Sequence, residues 1–278
     1  MHVPTTKLKN GIEMPLLGLG VLRIEDGPRV EQAVLWALEA GYRSIDTARI
    51  YNNEEGVGQA LKESGIPREE LFVTTKVWND DQGYDRTLAA FDTSCARLNL
   101  DIIDLYLVHW PGADPELNRE TWRAMEKLYA DGRVRAIGVS NFNPRHIEAL
   151  LETAEVVPMV NQVEFHPHFQ QAALRDYCRK MGIQLEAWRP LMRGKVLELP
   201  VLQEIAARTG KTPAQVTLRW MVQHGIVTIP KSQNQDRIRE NFDVFDVELS
   251  DDDMRAIDAL DCGERLGPDP EVFRMDFQ

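Results

Sequence analysis

The chain has 278 residues and a net charge of −12 at pH 7; 43% of its residues are hydrophobic, 27% are charged, and its mean hydropathy is −0.35. This composition is typical of a folded globular protein, and the length suits one α/β barrel, so we expect a single domain over residues 1–278. The negative charge opposes a general attraction to nucleic acid or to an anionic membrane, and we expect neither as a partner.

Short apolar runs alternate with helical patterns along the chain. A hairpin signal comes first: the Asn-Gly pair in KLKNGIEM, residues 7–14, which we expect to plug the bottom of a barrel. Eight candidate strands follow, at residues 16–21, 44–48, 71–78, 102–110, 134–141, 158–166, 183–191 and 226–232. The helical stretch after the first strand has Pro28 near its start, and one of the two before the last strand has a capping pattern, Thr212 and Gln215.

This order of elements predicts the fold class. Near-continuous apolar strands that alternate with amphipathic helices are typical of a parallel sheet covered by helices, and eight such units predict a (β/α)8 TIM barrel. After the eighth unit, residues 249–261 predict an extra C-terminal helix capped by Ser250. The last stretch, residues 264–277, is punctuated by Pro and Gly, and we expect it to lie as a C-terminal loop over the active-site mouth.

Cysteine usage and the N-terminus indicate the compartment. Cys95, Cys178 and Cys262 are widely spaced and form no C-x-x-C pair, which argues against a disulfide framework and against a zinc knuckle. The opening MHVPTTKLKNG lacks the pattern of a signal peptide, and no apolar run approaches the roughly 20 residues that span a bilayer. We therefore expect a cytoplasmic protein.

Functional side chains cluster at the carboxyl ends of the candidate strands. These are Asp46, Lys76, His109, Asn141, Gln162, Trp188 and Lys231. In a barrel those strand ends form one mouth, where active sites lie. Lys76 is the clearest case, because an ammonium inside an apolar strand needs a partner, and Asp46 on the neighbouring strand is a credible one.

Three of these residues, Asp46, Lys76 and His109, together with Tyr51, suit proton transfer to a carbonyl oxygen. A tyrosine, with an ordinary pKa of about 10, is a weak acid at neutral pH, but an adjacent ammonium favours the phenolate. Tyr51 lies in the loop after the strand that carries Asp46, and Asp46 would keep Lys76 charged and in place. We expect His109 to hydrogen-bond the same carbonyl oxygen.

A site for a phosphorylated cofactor is the next expectation. GLG at residues 18–20 has Arg23 where the third glycine of a dinucleotide fingerprint belongs, and GKT at 210–212 lacks the upstream glycine of a P-loop. The better candidate is residues 229–241, where Lys231 and Ser232 precede a helix that carries Arg237. Residues 189–195 add three more cations.

The same residues carry a family resemblance. The motifs GYRSIDTARIYNNEEGVG, TTKVWN, DLYLVHWPG, IGVSNF, VNQVEFHP and TIPKS resemble, in order and over essentially the whole chain, those of the aldo-keto reductase superfamily. WNDDQGYDRTL, EKLYADGRVRAIGVSNF and GPDPEVF are similar to the branch of 2,5-diketogluconate reductases, microbial aldehyde reductases and trypanosomal prostaglandin F synthases.

The resemblance implies an NADPH-dependent reductase of aldehydes and activated ketones, such as methylglyoxal, aromatic aldehydes and diketo sugar acids, and it favours a monomer. It implies a catalytic tetrad of Asp46, Tyr51, Lys76 and His109, with Tyr51 as proton donor. The cofactor residues that it implies are Ser140, Asn141 and Gln162 at the carboxamide, Trp188 at the nicotinamide, Arg189, Pro190 and Leu191 beside it, Lys231, Ser232 and Arg237 at the 2′-phosphate, and Glu240 and Asn241 at the adenine. We expect the substrate pocket to be lined by Leu22, Ile50, Trp78, His109, Trp110 and the loop 265–273.

Two positions depart from the family pattern. Arg189 stands where relatives have a small residue, and we expect it to close over the cofactor's pyrophosphate; the alternative is that it turns to an acidic neighbour. Arg49 stands where Ala is usual, and it could alter the entrance beside Tyr51.

Three alternatives stay open. Lys76 could act as the nucleophile of a cofactor-free Schiff-base lyase, which the basic stretch 229–241 argues against. The chain could instead be an NADPH-binding redox sensor with little turnover. His166 and His168, which are spaced to face one way from an extended segment, could be metal ligands, but without a third ligand nearby in the sequence we predict no metal site.

Overall fold

The computed structural model describes residues 3–272. The chain begins with an antiparallel hairpin of β1 (Thr5–Lys7) and β2 (Glu13–Pro15). Leu8 and Met14 are buried, and the Asn10 side chain donates to the carbonyl of Arg135, next to the start of a barrel strand. The hairpin therefore covers the amino ends of the strands, as predicted.

Eight parallel strands form the barrel. They are β3 (Leu19–Gly20), β4 (Ser44–Asp46), β5 (Phe72–Val77), β6 (Ile103–Val108), β7 (Val134–Ser140), β8 (Val160–Glu164), β9 (Gln184–Trp188) and β10 (Val227–Thr228). Each pairs in parallel with its neighbours in chain order. A parallel bridge between Leu17 and Thr228 closes the barrel, and the Gly18 amide donates to the Thr228 carbonyl at 3.0 Å. The predicted (β/α)8 fold is confirmed.

The first and last strands are shorter than the sequence predicts. Both have two residues, against predicted ranges of 16–21 and 226–232. The Gly20 amide still donates to the Pro230 carbonyl at 3.2 Å, but proline has no N–H to return a bond, so the regular ladder ends there. The seam between β3 and β10 is consequently held by few hydrogen bonds.

Helices surround the barrel in the described residues. They are α1 (Pro28–Ala40), α2 (Glu54–Glu63), α3 (Tyr84–Leu98), α4 (Pro115–Ala130), α5 (Pro144–Leu151), α6 (Ala172–Met181), α7 (Pro200–Thr209), α8 (Pro213–Gln223), α9 (Gln235–Phe242) and α10 (Asp251–Asp258). The predicted caps form: the Thr212 hydroxyl accepts from the Gln215 amide, and the Ser250 hydroxyl accepts from the Asp253 amide. Between residues 3 and 272 no helix is both long and apolar enough to cross a membrane.

The chain after α10 returns to the mouth of the barrel. Leu266 and Gly267 donate their backbone amides to Glu164, the last residue of β8, so this stretch lies against the carboxyl ends of the strands. We call residues 265–272 the C-terminal loop. Phe273, which the sequence assigned to the pocket wall, lies outside the described residues.

Candidate active site

A buried ion pair lies where β4 and β5 end. Lys76 Nζ donates to Asp46 Oδ1 at 2.7 Å and to the Thr47 carbonyl at 2.8 Å, and the Lys76 side chain has no exposed surface. The pair satisfies an ammonium that would otherwise be costly to bury. The two residues therefore meet as the sequence predicted.

Tyr51 and His109 complete this group. The Tyr51 ring centroid lies 5.1 Å from Lys76 Nζ and 5.6 Å from the His109 ring centroid, which it meets edge to face. The structure thus brings the four residues of the predicted tetrad together from three strand ends and one loop.

The loop that carries Tyr51 is fixed by its neighbours. Residues Arg49–Tyr51 form a single 3₁₀ turn that ends at Asn52, whose φ of 52° is left-handed. Just beyond it, the buried Asn53 accepts from the Thr47 hydroxyl at 2.7 Å and donates to the carbonyls of Val21 and Ile24. These bonds tie the loop after β4 to the loop after β3 and restrict where the phenol can lie.

The electrostatics of the group suit a proton donor. Burial raises the pKa of Tyr51, and Lys76, by its charge and by a hydrogen bond, opposes that rise. Burial alone would lower the pKa of Lys76, but the charges of Asp46 and Tyr51 raise it above its ordinary value, so the ammonium persists. Burial, followed by the charge of Lys76, lowers the pKa of His109 well below 6.5, which keeps the imidazole neutral.

A second carboxyl group, that of Glu186, was not predicted from the sequence and lies beneath the tetrad. Gln162 Nε2 donates to Asp46 Oδ2 and to Glu186 Oε2, both at 2.8 Å. Burial, with the nearby Asp46 carboxylate, raises the pKa of Glu186 to about 8. Glu186 is therefore mostly protonated at neutral pH. An acidic residue within the apolar strand QLEAW is the same signal that singled out Lys76.

The residues predicted for the nicotinamide end are adjacent at the ends of β7, β8 and β9. The Ser140 hydroxyl donates to the Gln162 carbonyl at 2.8 Å, and Asn141 donates to the His109 carbonyl at 3.0 Å. Trp188 Nε1 donates to Asn141 Oδ1 at 2.8 Å, which fixes the indole at the mouth. Asn141 has a left-handed φ of 65°, a conformation that Asn adopts more readily than most residues.

Cations gather beside this mouth. The pKa of Lys231 is lowered, first by burial and then by the charges of Arg237 and Arg23. The pKa of Arg189 is lowered by burial and by the charges of Arg193 and Arg23, while Glu164 opposes the change. Mutual repulsion of this kind would be relieved by a bound polyanion. Arg23 had no assigned role; only the fold brings it to residues that follow it by more than 150 positions.

The other residues predicted around the phosphates and the adenine lie on the same side. Asn234 caps α9, because its side chain accepts from the Arg237 amide at 3.0 Å. The hydroxyl of the buried Ser232 donates to the Asn234 carbonyl. Glu240 accepts from the Thr212 hydroxyl at 2.7 Å. The other three residues predicted to contact the cofactor are Asn241, which is buried in α9, and Pro190 and Leu191, which are buried and half-buried in the turn after β9.

Arg189 turns to an acidic neighbour in this structure. Its Nη1 lies 3.6 Å from Glu164 Oε1, and its guanidinium lies 5.0 Å from the Trp188 ring centroid. Glu164 is fully buried and also accepts from the amides of Leu266 and Gly267, each at 2.9 Å. One carboxylate thus joins Arg189 to the C-terminal loop. A Cβ on Gly267 would lie 2.8 Å from Glu164 Oε2 and overlap the Trp188 ring, so only glycine fits there.

Among the residues predicted to line the pocket, Trp78 packs directly against the tetrad. Trp78 meets the His109 ring edge to face at 5.1 Å, and the Trp110 ring centroid lies 6.5 Å from that of Trp188. Ile50 is half-buried in the turn before Tyr51, and Leu22 is 45% exposed after β3.

The second departure from the family pattern, Arg49, forms an ion pair. Its Nε lies 2.6 Å from Asp81 Oδ2. This pair joins the turn that carries Tyr51 to the turn Asn79–Asp81, which follows Trp78.

The two histidines after β8 do not face a common ligand. His166 is fully buried, and its Nε2 lies 3.2 Å from Glu164 Oε1. His168 Nδ1 instead lies 2.9 Å from Glu264 Oε2. The expectation that both point the same way is wrong, because the chain reverses between them: the amide of Phe169 donates to the His166 carbonyl at 2.8 Å.

Comparison with known proteins settles the family. The model of the Aldo/keto reductase family matches residues 17–261. The chain belongs to the aldo/keto reductase family. It is 61% identical over 267 residues to glyoxal reductase of Bacillus subtilis (strain 168), with 96% of each chain covered. It is 56% identical to 9,11-endoperoxide prostaglandin H2 reductase of Trypanosoma cruzi (strain CL Brener), over 96% of this chain and 94% of that one.

Solved structures agree with these sequence relatives. A Gox0644 mutant in complex with NADPH superposes with a TM-score of 0.93 at 45% identity, over 99% of this chain and 100% of that one. The family resemblance, the reductase class and the NADP cofactor that the sequence predicted are therefore confirmed.

Proposed function

We propose that this protein reduces small aldehydes and activated ketones, glyoxals among them, to alcohols with NADPH, and that Tyr51 donates the proton. NADPH, when bound, supplies a hydride to the carbonyl carbon. Tyr51 gives its proton to the carbonyl oxygen, and Lys76 stabilises the phenolate that remains. Asp46 keeps Lys76 in place, and neutral His109 donates a hydrogen bond to the same oxygen.

One observation carries this proposal: a buried, charged Lys76 lies between Asp46 and the ring of Tyr51. Its Nζ is 2.7 Å from Asp46 Oδ1 and 5.1 Å from the phenol ring centroid. An ammonium in that position makes the phenol a better acid just where burial would make it a worse one. The same observation argues against a Schiff-base lyase, because a lysine whose pKa is raised is a poor nucleophile.

The residues beside the mouth fit a dinucleotide phosphate. Besides burial, the charges of Arg237 and Arg23 lower the pKa of Lys231, and those of Arg193 and Arg23 lower the pKa of Arg189. A 2′-phosphate or a pyrophosphate would offset that repulsion. We assign the 2′-phosphate to Lys231, Ser232 and Arg237, the carboxamide to Ser140, Asn141 and Gln162, the nicotinamide ring to Trp188, the pyrophosphate to Arg189, Pro190 and Leu191, and the adenine to Glu240 and Asn241.

The setting that we propose is a single barrel domain that acts as a monomer in the cytoplasm without a nucleic-acid partner. The three cysteines of the chain, Cys95, Cys178 and Cys262, are free thiols, as a reducing compartment requires. Sedimentation of the purified chain tests the monomer directly.

The deciding experiment measures NADPH oxidation with glyoxal, methylglyoxal, an aromatic aldehyde, 2,5-diketogluconate and a prostaglandin endoperoxide. We expect turnover with the first three and a strong preference for NADPH over NADH. Tight NADPH binding without turnover on any of them would identify the redox sensor instead. Irreversible trapping of substrate on Lys76 by borohydride, without NADPH, would identify the lyase.

A further inference from the structure

A cluster of three different metal-ligand types lies outside the candidate active site. His168 follows β8, and in the sequence Cys262 and Glu264 stand 94 and 96 positions after it. The fold brings the three together: their ligand atoms, one nitrogen, one sulfur and one carboxylate oxygen, all lie within 4.8 Å of one another. His166 takes no part, and two distant residues supply the further ligands that the sequence near His168 lacks.

Backbone hydrogen bonds hold the cluster in shape. The His168 carbonyl accepts from the amide of Cys262 at 3.3 Å and from the amide of Glu264 at 3.0 Å. Cys262 Sγ lies 3.7 Å from the same carbonyl oxygen. The two segments that carry the ligands are thus joined to each other, so binding an ion would order little further chain.

The segment before Glu264 is also fixed to α10. Asp261 Oδ1 accepts from the Gln170 amide at 3.3 Å and from the Gly263 amide at 3.2 Å. Gln170 Nε2 in turn donates to the carbonyls of Ile257 and Asp258, at 3.1 Å and 3.0 Å. The cluster therefore lies at a junction of the loop after β8, the end of α10 and the start of the C-terminal loop.

The two oxygens of Glu264 have different partners, and one of them faces the other candidate ligands. Glu264 Oε1 accepts from Lys195 Nζ at 3.1 Å, and Glu264 Oε2 lies 2.9 Å from His168 Nδ1. An ion bound at Oε2 would keep Lys195 as an outer hydrogen-bond partner of the same carboxylate. The thiol and the carboxylate are partly open to solvent, so an ion has a direct path of entry.

We propose that His168, Cys262 and Glu264 bind a divalent cation of borderline softness, Zn²⁺, and that the bound ion fixes the base of the C-terminal loop. A mixed set of imidazole nitrogen, thiolate sulfur and carboxylate oxygen matches Zn²⁺, whereas Mg²⁺ and Ca²⁺ take oxygen ligands alone. Water completes the tetrahedral coordination at this exposed site.

The test titrates the full chain, free of metal, with Zn²⁺ by calorimetry and with Co²⁺ by absorption spectroscopy. We expect one Zn²⁺ per chain and a thiolate-to-cobalt charge-transfer band. Cys262→Ser should abolish the band, and both Cys262→Ser and His168→Asn should weaken Zn²⁺ binding by at least about tenfold. Saturating Zn²⁺ should raise the melting temperature of the wild type and slow hydrogen exchange at Leu266 and Gly267.

Matched controls separate this site from incidental binding. Cys95→Ala removes a buried thiol, and His224→Asn removes a histidine that pairs with a carboxylate, Asp258, at 2.9 Å in the same manner as His168. Both controls should bind Zn²⁺ as the wild type does. Zn²⁺ that binds without a fixed stoichiometry, or that binds Cys262→Ser and the wild type equally, overturns the proposal.

Discussion

At the scale of single residues, the proposed proton donor gives the most direct prediction. Tyr51→Phe removes the hydroxyl but keeps the ring that packs against His109. We expect kcat to fall by roughly 10²- to 10⁴-fold, because the group that protonates the carbonyl oxygen is lost, while the Kd for NADPH changes little. Steady-state kinetics and cofactor titration check this. More than about a tenth of the wild-type kcat, a loss under ~1.4 kcal/mol, would contradict the assignment.

Glu186 predicts a feature of the pH profile. Its pKa of about 8 means that the wild type acquires an extra negative charge near Tyr51 as the pH rises through 8, and that charge raises the pKa of Tyr51. The wild-type kcat/KM for reduction should therefore decline around pH 8. Glu186→Gln keeps the shape and stays neutral, so its decline should begin at higher pH. Superimposable profiles for the two proteins would show that Glu186 does not influence the phenol.

Arg189 and Arg237 are predicted to differ in which cofactor they affect. NADH lacks the 2′-phosphate. Arg237→Ala should therefore weaken the binding of NADPH by about 1.5–3 kcal/mol, the range for charge-assisted hydrogen bonds, and should have little effect on the binding of NADH. The pyrophosphate is common to NADPH and NADH, so Arg189→Ser should weaken the binding of both cofactors by similar factors. Quenching of tryptophan fluorescence measures all four affinities. Unchanged affinities in Arg189→Ser would mean that Arg189 stays with Glu164 when the cofactor binds.

Some residues of the site could be predicted from the sequence, and others could not. Lys76 was conspicuous because a cation inside an apolar strand demands a partner, and the strand ends converge in a barrel. Glu186 is likewise a charged residue type inside an apolar strand, but the sequence did not place it in the site. Its connection to Asp46 depends on the side chain of Gln162, which donates to both carboxyl groups. Arg23 and the ligands around His168 carried no local signal, because their neighbours lie more than 90 positions away and only the closed barrel defines them.

At the scale of elements, the C-terminal loop depends on one buried carboxylate. Leu266 and Gly267 each donate to a different oxygen of Glu164, and a glutamine offers only one acceptor oxygen there. Glu164→Gln should leave one part-buried N–H without an acceptor, a cost of about 1–3 kcal/mol, and so release the loop. We expect faster hydrogen exchange at these two amides and a higher KM for the carbonyl substrate.

A control for this prediction lies in the same loop. Glu271 forms an ion pair with Arg145 at the protein surface, so Glu271→Gln should change neither measurement appreciably. Equal effects of the two substitutions would show that the loop responds to any lost charge and not to the buried anchor.

The order and type of the elements followed from hydrophobic period and turn residues, but their ends did not. The strands at 16–21 and 226–232 were predicted too long because apolar runs do not show where a ladder stops. Pro230 marked that end, and its effect depends on pairing with Gly20 more than 200 positions earlier.

At the scale of the whole molecule, neutral histidines in buried and half-buried positions predict sensitivity to acid. Burial and the charge of Arg145 lower the pKa of His146 to about 4, and burial lowers that of His109 well below 6.5. Below about pH 6.5 the unfolded chain binds protons that the folded chain does not. The free energy of unfolding should therefore fall with decreasing pH, by up to about 1.4 kcal/mol per pH unit for each histidine.

Urea unfolding at pH 7 and pH 5 measures this loss. His146→Gln isolates one contribution, because glutamine can also accept the capping hydrogen bond from the Asn143 amide and does not titrate. The substitution is needed because Glu186, whose pKa is raised, contributes with the opposite sign between pH 4.5 and about 8. An equal loss between pH 7 and pH 5 in both proteins would contradict the role of His146.

The short seam between β3 and β10 matters for a chain that is still being synthesised. Gln233 donates to the Arg23 carbonyl across this seam at 3.2 Å, between residues 210 positions apart. Arg23, from the first barrel unit, stands near Lys231 and Arg237, from the last unit, in the group of cations beside the mouth. A ribosome must synthesise the chain through Arg237 before these cations can meet, so a nascent barrel that stops short of this residue gains no protection from NADPH. Only a finished and closed molecule can be stabilised by its cofactor.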